Sequence, residues 1–490
     1  MVAGVAEAPL TKRDFRGARS RKQIVAAGAA WSALIVVTWP GFAAAESIEA
    51  ALARAYQNNP QLNAQRAIVR HDDEGVAQAL SGYRPSLYAN ASFGRQYTSE
   101  REIFPPIPGT ALTAGANVQI KGQTTPTAYG ATATQTLFNG GQTANRVRAA
   151  ESQVSASRET LRVMEQSVLL AAATVYMDVS RDSANLEVQQ NNYRVLQHML
   201  ADTKNRFIAG QVTTTDVAQA EAQVAAGEAT LHGAEATLAT TKANYRRIIG
   251  NDPENLSAAA PVERLVPSTL DSAIAAGTAQ NPSVIAAIYG VDVAQLQVKI
   301  AEGALWPTLV VQGNVQEQNS PNIVTPRLFS DSAMLNLTVP LYQGGAEYAA
   351  IRQNKESVGQ QRLTVDQVRD QTHANVVQAW SQLIATKAQV AAAERQGEAS
   401  ERALNGVRNE AIAGQRTTLD VLNAQQALVN ARVSLITAQH DRVVASYSLV
   451  AAVGRLSAQN LALPVTIYDP MVHYQQVRDA WLGLRTPSGQ

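Results

Sequence analysis

The sequence predicts a mainly α-helical protein with a small number of membrane-spanning β-strands, built from two tandem copies of one unit. The copies show matched landmarks: Asn59-Pro60 recurs as Asn281-Pro282, and Leu-Phe-Asn-Gly-Gly at 137–141 recurs as Leu-Tyr-Gln-Gly-Gly at 341–345. In each copy a period-two pattern typical of strands precedes a long stretch rich in strong helix formers. These observations together predict long helices joined to short strands.

The composition excludes several kinds of protein. The 41 basic and 40 acidic residues nearly cancel, so the charge gives no indication of a nucleic-acid partner. The chain has no cysteine, and its six histidines are far apart, so neither disulfides nor a pattern of metal ligands is indicated. Neither a nucleophile elbow nor a phosphate-binding loop is present. We therefore expect a protein that is not an enzyme and that holds no metal or cofactor.

The first 45 residues have the layout of a secretory signal peptide. Basic residues precede an apolar run at 24–39, and Ala43-Ala44-Ala45 follows as a cleavage site of small residues. The run is shorter than the roughly 20 residues that a spanning helix needs, which disfavours the alternative of an uncleaved anchor. We expect the mature chain to begin near Glu46, and no later stretch to be apolar enough to span a bilayer as a helix. A membrane part would then consist of strands.

Four segments follow the predicted signal peptide. The first repeat covers 46–250 and the second covers 269–454, and the proline-containing residues 251–268 link them. Each repeat starts with a helical region that Asn-Pro divides, because asparagine caps helices and proline is favoured in their first turn. Residues 455–490 form a C-terminal tail for which the sequence indicates no role.

Two strands are predicted in each repeat, at 85–97 and 128–138 in the first and at 307–317 and 332–341 in the second. Apolar and polar residues alternate along them, so each strand has one apolar and one polar face. A half-buried sheet of a soluble domain shows the same alternation, but strands of about 10 residues in an exported chain favour a transmembrane barrel. We expect the polar face to line a pore, with Asn90, Ser92, Thr132, Asn314 and Asn336.

Four strands cannot close a barrel, and an open sheet would leave unpaired backbone groups in lipid. Three chains would supply 12 strands, an even number within the range known for such barrels. A long loop is predicted at 98–127 and a short one at 319–331. The long loop contains an 18-residue insertion by which the copies differ, and outer-membrane barrels keep long loops outside.

Glycine pairs at 140–141 and 344–345 mark the turn from strand to helix. Residues 142–209 contain neither glycine nor proline, and 346–413 contain only isolated glycines. Both segments are predicted to be helices about 100 Å long, at 1.5 Å per residue.

Each long helix is predicted to stop at Ala-Gly, where a second helix starts and returns to Gly250 or Gly454. The result is two antiparallel helical hairpins, at 142–250 and 346–454. An exported coiled-coil or adhesive protein with no pore is the alternative interpretation of these rods.

The tip of the second hairpin carries a recognisable motif. It reads Gly414-Gln415-Arg416-Thr417-Thr418-Leu419-Asp420-Val421-Leu422-Asn423-Ala424. This resembles the G-x-R-T-x-x-D-V-L-[DN]-A signature of the TolC-like outer membrane efflux proteins, and the first tip carries a weaker match at 210–217. The resemblance covers residues 46–464 or nearly so.

The resemblance implies a homotrimer in the outer membrane of a Gram-negative bacterium. Its 12-stranded β-barrel would continue into a long periplasmic α-barrel. Such proteins are passive exit ducts of tripartite efflux or type I secretion systems. Outer-membrane lipid surrounds the strands, and a periplasmic adaptor (membrane fusion) protein with an inner-membrane pump or ABC exporter opens the tip. The sequence does not indicate the cargo, because the pump selects it.

The resemblance also assigns roles at the tips. It implies that Asp216, Arg416, Asp420 and Asn423 control the aperture, with Arg416 bonded to Asp216 and neighbouring helices and with Asp420 in a cation-binding ring of the trimer. Ala411 stands where relatives carry a latch tyrosine, so part of that latch is missing. An acidic residue in the first turn of a helix also caps it, whatever its function. The turns expected to contact the adaptor contain Gly210, Gln211, Gly414 and Gln415.

Overall fold

The computed structural model describes residues 46–105, 109, 116–487 and 489. The predicted signal peptide, 1–45, lies outside the described residues, and so do 106–108 and 110–115 of the predicted long loop. Both repeats have the same order of elements: two helices, strands, a very long helix and a shorter return helix.

The repeated Asn-Pro pair separates two helices at the start of each repeat. These are α1 (Ile48–Asn58) and α2 (Pro60–Leu80) in the first repeat. The Asn59 side-chain oxygen caps α2, and its Nδ2 donates to the carbonyl of Ile248 at 3.2 Å. Each such asparagine therefore has two roles, because it starts one helix and also binds the end of another.

Two long helical hairpins make up most of the chain. The long helices α3 (Gln142–Ile208) and α7 (Ala346–Ile412) have 67 residues each, and the return helices are α4 (Thr214–Ile249) and α8 (Thr418–Ala452). Each long helix ends one residue earlier than predicted. At 1.5 Å per residue each is about 100 Å long. Helix α3 packs on α4, α7 packs on α8, and α3 also contacts α8, so the two hairpins lie side by side.

In the second repeat the starting helices are α5 (Leu270–Gln280) and α6 (Pro282–Gly303). Asn281 caps α6 and donates from Nδ2 to the carbonyl of Ala452 at 2.9 Å, at the end of α8. The contact made by Asn59 is thus repeated in the second copy.

Both hairpins end in the same turn. Gly210 and Gly414 have left-handed φ values of 73° and 77°. At the first tip the amides of Gly210 and Gln211 donate to the carbonyls of Phe207 and Arg206, both at 2.9 Å. Gly414 and Gln415 make the equivalent bonds at the second tip, at 3.2 and 2.9 Å. This pair of bonds is the Schellman motif, which satisfies the last carbonyls of a helix.

The strands form two sheets. They are β1 (Ser86–Phe93), β2 (Gln96–Phe104), β3 (Ala116–Thr124), β4 (Thr127–Asn139), β5 (Thr308–Asn319) and β6 (Arg327–Thr338). Four of them make an antiparallel sheet in the order β1-β4-β5-β6, and β2 pairs with β3 in a separate hairpin. All four strands of the larger sheet join the helices at the same end of the sheet.

The structure corrects the predicted first strand and the predicted long loop. The strand predicted at 85–97 ends at Phe93, and the segment predicted as a loop at 98–127 contains most of β2 and all of β3. Polar residues such as Ser99 and Glu100 occupy opposite faces of this hairpin, so an alternating pattern did not reveal it.

The last strand is also displaced from its predicted position. It was predicted at 332–341, but β6 starts at Arg327 and ends at Thr338. Pro340 lacks the amide hydrogen that a strand ladder requires, which explains the early end. The connection between β5 and β6 is therefore shorter than the loop predicted at 319–331.

One later segment has the length and composition of a membrane-spanning helix, so that part of the prediction was wrong. Residues Leu270–Gly303 have a mean hydropathy of 1.4 in an 18-residue window. The segment is not one continuous helix, because Pro282 divides it into α5 and α6. Helix α6 packs along α3 and α7. Few of its residues are buried by these contacts: Pro282, Val284 and Gly303.

The largest buried cluster lies where the linker between the repeats crosses the helices. The Tyr176 hydroxyl lies 2.8 Å from the carbonyl of Glu46 and 2.7 Å from that of Ser257. Farther along the linker, Glu263 accepts from Lys387 at 3.1 Å and from Arg442 at 2.8 Å. The linker thus ties the first helices of the chain to both hairpins.

The turn geometry predicts opposite effects for two glycines. Gly414→Ala should destabilise the tip by about 1 kcal/mol, because a Cβ is disfavoured at positive φ. Gly359→Ala, inside α7 with open space around it, should stabilise the helix by about 0.5–1 kcal/mol. Hydrogen exchange of the local amides measures both changes in stability. Exchange should be about fivefold faster at the tip in the Gly414 variant and slower around position 359 in the Gly359 variant. The same sign in both variants would contradict this account.

Candidate functional site

The larger sheet places all five predicted pore residues on one face. Alternate residues of paired strands share a face, and the register puts on one side Asn90, Ser92, Thr132, Asn314 and Asn336. Thr132 lies directly across from Asn314, and its Oγ1 donates to Oδ1 at 3.0 Å. The same face carries further polar residues that the prediction did not name: Gln312, Gln316, Gln318, Ser330 and Ser332.

The opposite face of this sheet is apolar and uncovered by the chain. Its large side chains include Leu87, Phe93, Val311, Val315, Phe329, Leu335 and Leu337. Leu87 is 75% exposed and Phe93 is 81% exposed. Exposed apolar surface of this extent indicates contact with lipid or with another apolar surface.

Both edges of the larger sheet are open. Among the residues that the structure describes, β1 pairs only with β4, and β6 pairs only with β5. Each edge therefore presents a row of backbone N–H and C=O groups with no partner strand in the same chain.

At the tips, the two predicted acidic residues cap the return helices. The Asp216 carboxylate accepts from the amide and the hydroxyl of Thr213, at 2.8 and 2.7 Å. Asp420 accepts from the amide and the hydroxyl of Thr417, both at 2.9 Å. In return each threonine hydroxyl accepts from the amide of its aspartate, which completes a capping box. The backbone and hydroxyl bonds from threonine lower the pKa of both aspartates, so both are ionised at neutral pH.

Arg416 has a different partner within the chain from the one that the resemblance implied. Its Nε donates to Oε2 of Glu410 at 2.9 Å, whereas Asp216 is bonded to Thr213. Glu410 lies six residues earlier, across the turn, and sequence reasoning did not name it. Asn423 is exposed, one turn after Asp420 on α8. The structure therefore places Arg416, Asp420 and Asn423 together at the second tip and leaves Asp216 at the first.

A groove of about 760 Å³ separates the end of α3 from the tip of the second hairpin. Its walls include Met199 and Arg206 from α3 and Arg408 and Ala411 from α7. Of the four predicted adaptor-contact residues, Gln211 lines this groove. Ala411, where the resemblance implied a tyrosine in relatives, forms part of the wall. Within the described part of the chain, no group of three or more acidic or histidine residues is placed to hold a metal ion.

Comparison with known proteins gives consistent matches along the chain. The family model described as Outer membrane efflux protein matches residues 51–251 and 274–455. Outer membrane efflux protein BepC of Brucella suis biovar 1 is 38% identical over 474 residues, which cover 96% of this chain and 98% of BepC. Outer membrane protein TolC of Vibrio cholerae is 26% identical over 433 residues, which cover 85% and 92% of the two chains.

The same fold appears among solved structures. The outer membrane channel CmeC of Campylobacter jejuni matches with a TM-score of 0.72 at 16% identity, over 88% of this chain and 89% of CmeC. The predicted fold class, family resemblance and outer-membrane location are confirmed, and the relatives are named as outer membrane efflux proteins or outer membrane channels. The chain belongs to the outer membrane efflux protein family.

Proposed function

We propose that three copies of this chain form a passive exit duct through the outer membrane and the periplasm. The observation that carries the proposal is the larger sheet, which has one polar face, one exposed apolar face and two open edges. Lipid can cover the apolar face but cannot pair the edges, because hydrocarbon offers no hydrogen bonds. Strand β1 of one copy must therefore pair with a neighbouring chain, and β6 of that neighbour is the available edge.

The family resemblance implies three copies, and the strand count is compatible with that number. Three sheets of four strands give a 12-stranded barrel, whose interior is wide enough for a channel and whose strand number is even. The apolar helices α5 and α6 support the same assembly, since only 11% of the apolar 18-residue stretch within Leu270–Gly303 is buried in one chain. A neighbouring copy would cover this surface.

The helical hairpins would form the periplasmic part of the duct. Each is about 100 Å long, and the tips lie at the end farthest from the strands. There a periplasmic adaptor and an inner-membrane pump or ABC exporter would bind and open the aperture, and the pump would choose the cargo. An exported rod without a pore, the alternative from the sequence, does not explain why one sheet face is polar over the length of four strands.

The first test of the duct is its mass and the accessibility of its interior. We expect the protein from outer membranes to have the mass of a trimer by light scattering in mild detergent. Because the chain has no cysteine, Asn314→Cys can be modified alone with a charged, membrane-impermeant thiol reagent, and the modification should lower channel conductance. The neighbouring Val315→Cys, on the apolar face, is the matched control and should be protected by lipid. A monomer, or equal labelling of both positions, would refute the duct.

The aperture is proposed to involve Arg416, which Glu410 holds at the tip. Arg416→Ser removes this pair and any bond to a neighbouring copy, so we expect a higher single-channel conductance in planar bilayers. Arg432→Ser is the control, because Arg432 pairs with Glu401 on the same hairpin but about 20 Å from the tip. Unchanged conductance in the Arg416 variant would rule out its role in the aperture.

Asp420 is proposed to form a ring of three carboxylates in the trimer. Such a ring concentrates hard cations, so Asp420→Asn should weaken block of the channel by divalent cations. Asp216→Asn, at the same capping position in the first repeat, is the control and should leave block unchanged. Within one chain the bonds from the amide and hydroxyl of Thr417 lower the pKa of Asp420, so block should persist as the pH falls to about 5 and weaken as the carboxylates are protonated at lower pH. Equal loss of block in both variants would place the cation site elsewhere.

A further inference from the structure

The C-terminal tail, for which the sequence indicated no role, follows the outside of the first repeat. Its short helix α9 (Pro470–Val477) begins at Asp469, whose carboxylate caps it by accepting from the amide of Met471 at 2.8 Å. Helix α9 packs against α2, the helix that leads to β1. The Nδ1 atom of His473 lies 3.0 Å from the buried carboxylate of Asp73 on α2.

Two contacts with α3 show the direction in which the tail runs. The Tyr474 ring lies 5.1 Å from the guanidinium carbon of Arg158, and Arg478 pairs with Glu151 at 3.8 Å. Helix α3 starts beside the sheet at Gln142, so Arg158 and Glu151 lie about 24 and 14 Å from its start at 1.5 Å per residue. The tail therefore runs toward the strands as its residue numbers increase.

The tail reaches the base of the sheet at Arg84, two residues before β1. Arg84 donates from Nη1 to the carbonyl of Ala480 at 2.6 Å, and its guanidinium carbon lies 4.7 Å from the centre of the Trp481 ring. A hydrogen bond and a cation–π contact thus fix the backbone and the indole at the junction between helices and strands.

Beyond this contact the tail exposes its apolar side chains. Trp481 is 67% exposed, and Leu482 and Leu484 are 97% and 103% exposed. Other exposed aromatic residues lie at the same junction, next to the strands or their connections, including Tyr83, Trp306 and Tyr342. Tryptophan and tyrosine are the residues enriched where a membrane protein leaves the hydrocarbon and meets water.

We propose that residues 481–485 dock in the phospholipid headgroups of the periplasmic leaflet of the outer membrane. The sheet ends at this height, so its lipid-facing apolar surface continues into the Trp-Leu-Gly-Leu segment. The indole and leucines would enter the interface, and the guanidinium groups of Arg84 and Arg485 would meet lipid phosphate. This inference depends on the outer-membrane location and not on the pore. The docking of residues 481–485 and the duct can therefore fail separately.

Tryptophan fluorescence tests the proposal in the complete protein. The substitutions Trp306→Phe and Trp380→Phe leave Trp481 as the reporter, since Trp31 and Trp39 belong to the predicted signal peptide. In vesicles of phosphatidylethanolamine and phosphatidylglycerol, lipid brominated near the headgroup should lower the Trp481 emission at least about threefold relative to unbrominated lipid. The matched control keeps Trp380, which lies about 50 Å along α7 from its start and should not be quenched.

A second measurement covers the case in which the tryptophan substitutions disturb the fold. Leu482→Cys and Gln476→Cys, each carrying a nitroxide spin label, are compared for collision with oxygen and with a water-soluble nickel complex. The label at 482 should collide more often with oxygen than with the nickel complex. The label at 476, an exposed position of α9, should collide more often with the nickel complex. Equal behaviour of the two labels would overturn the proposal. So would a blue-shifted Trp481 emission without quenching, which would show that a neighbouring copy covers the tail.

Discussion

The backbone of an edge strand in lipid has to find a hydrogen-bonding partner, and the rest of this structure depends on that requirement. A chain with four strands cannot meet it alone, because β1 and β6 stand at opposite edges of one sheet. Assembly is therefore a condition for entering the membrane and not a later addition. It also explains why apolar side chains remain exposed on α6 and on the sheet of a single chain.

Sequence reasoning succeeded where one residue type has one structural meaning. The Asn-Pro pairs, the glycines at the tips and the long stretches without helix breakers located the helices to within about a residue, because caps and left-handed turns tolerate few substitutes. The face of the sheet was also predictable, since alternation survives small errors in the ends of strands. Asn314 and Thr132 lie on the expected face although both of their strands are longer than predicted.

The features that were missed depend on contacts between distant residues. The hairpin of β2 and β3 has no uniform face, so only its pairing reveals it. Glu410 meets Arg416 because the chain reverses between them. The tail carries ordinary aromatic and charged residues, and its path became visible only from Asp73, Glu151 and Arg84. At the tips, Asp216 and Asp420 illustrate a different difficulty, since capping and a role in the aperture predict the same residue in the same position.

The two asparagines that precede proline have a mechanical consequence. Asn59 holds the start of α2 and the last turn of α4 in one side chain, and Asn281 does the same for α6 and α8. The ends of the return helices farthest from the tips are thus fixed, while the second tip is held by its turn, by surface pairs and by a small buried cluster that includes Leu404, Val421 and Leu428. Each hairpin is a lever with its pivot at the asparagine. A small rotation about this asparagine would displace the tip by several ångströms, because each return helix is about 50 Å long.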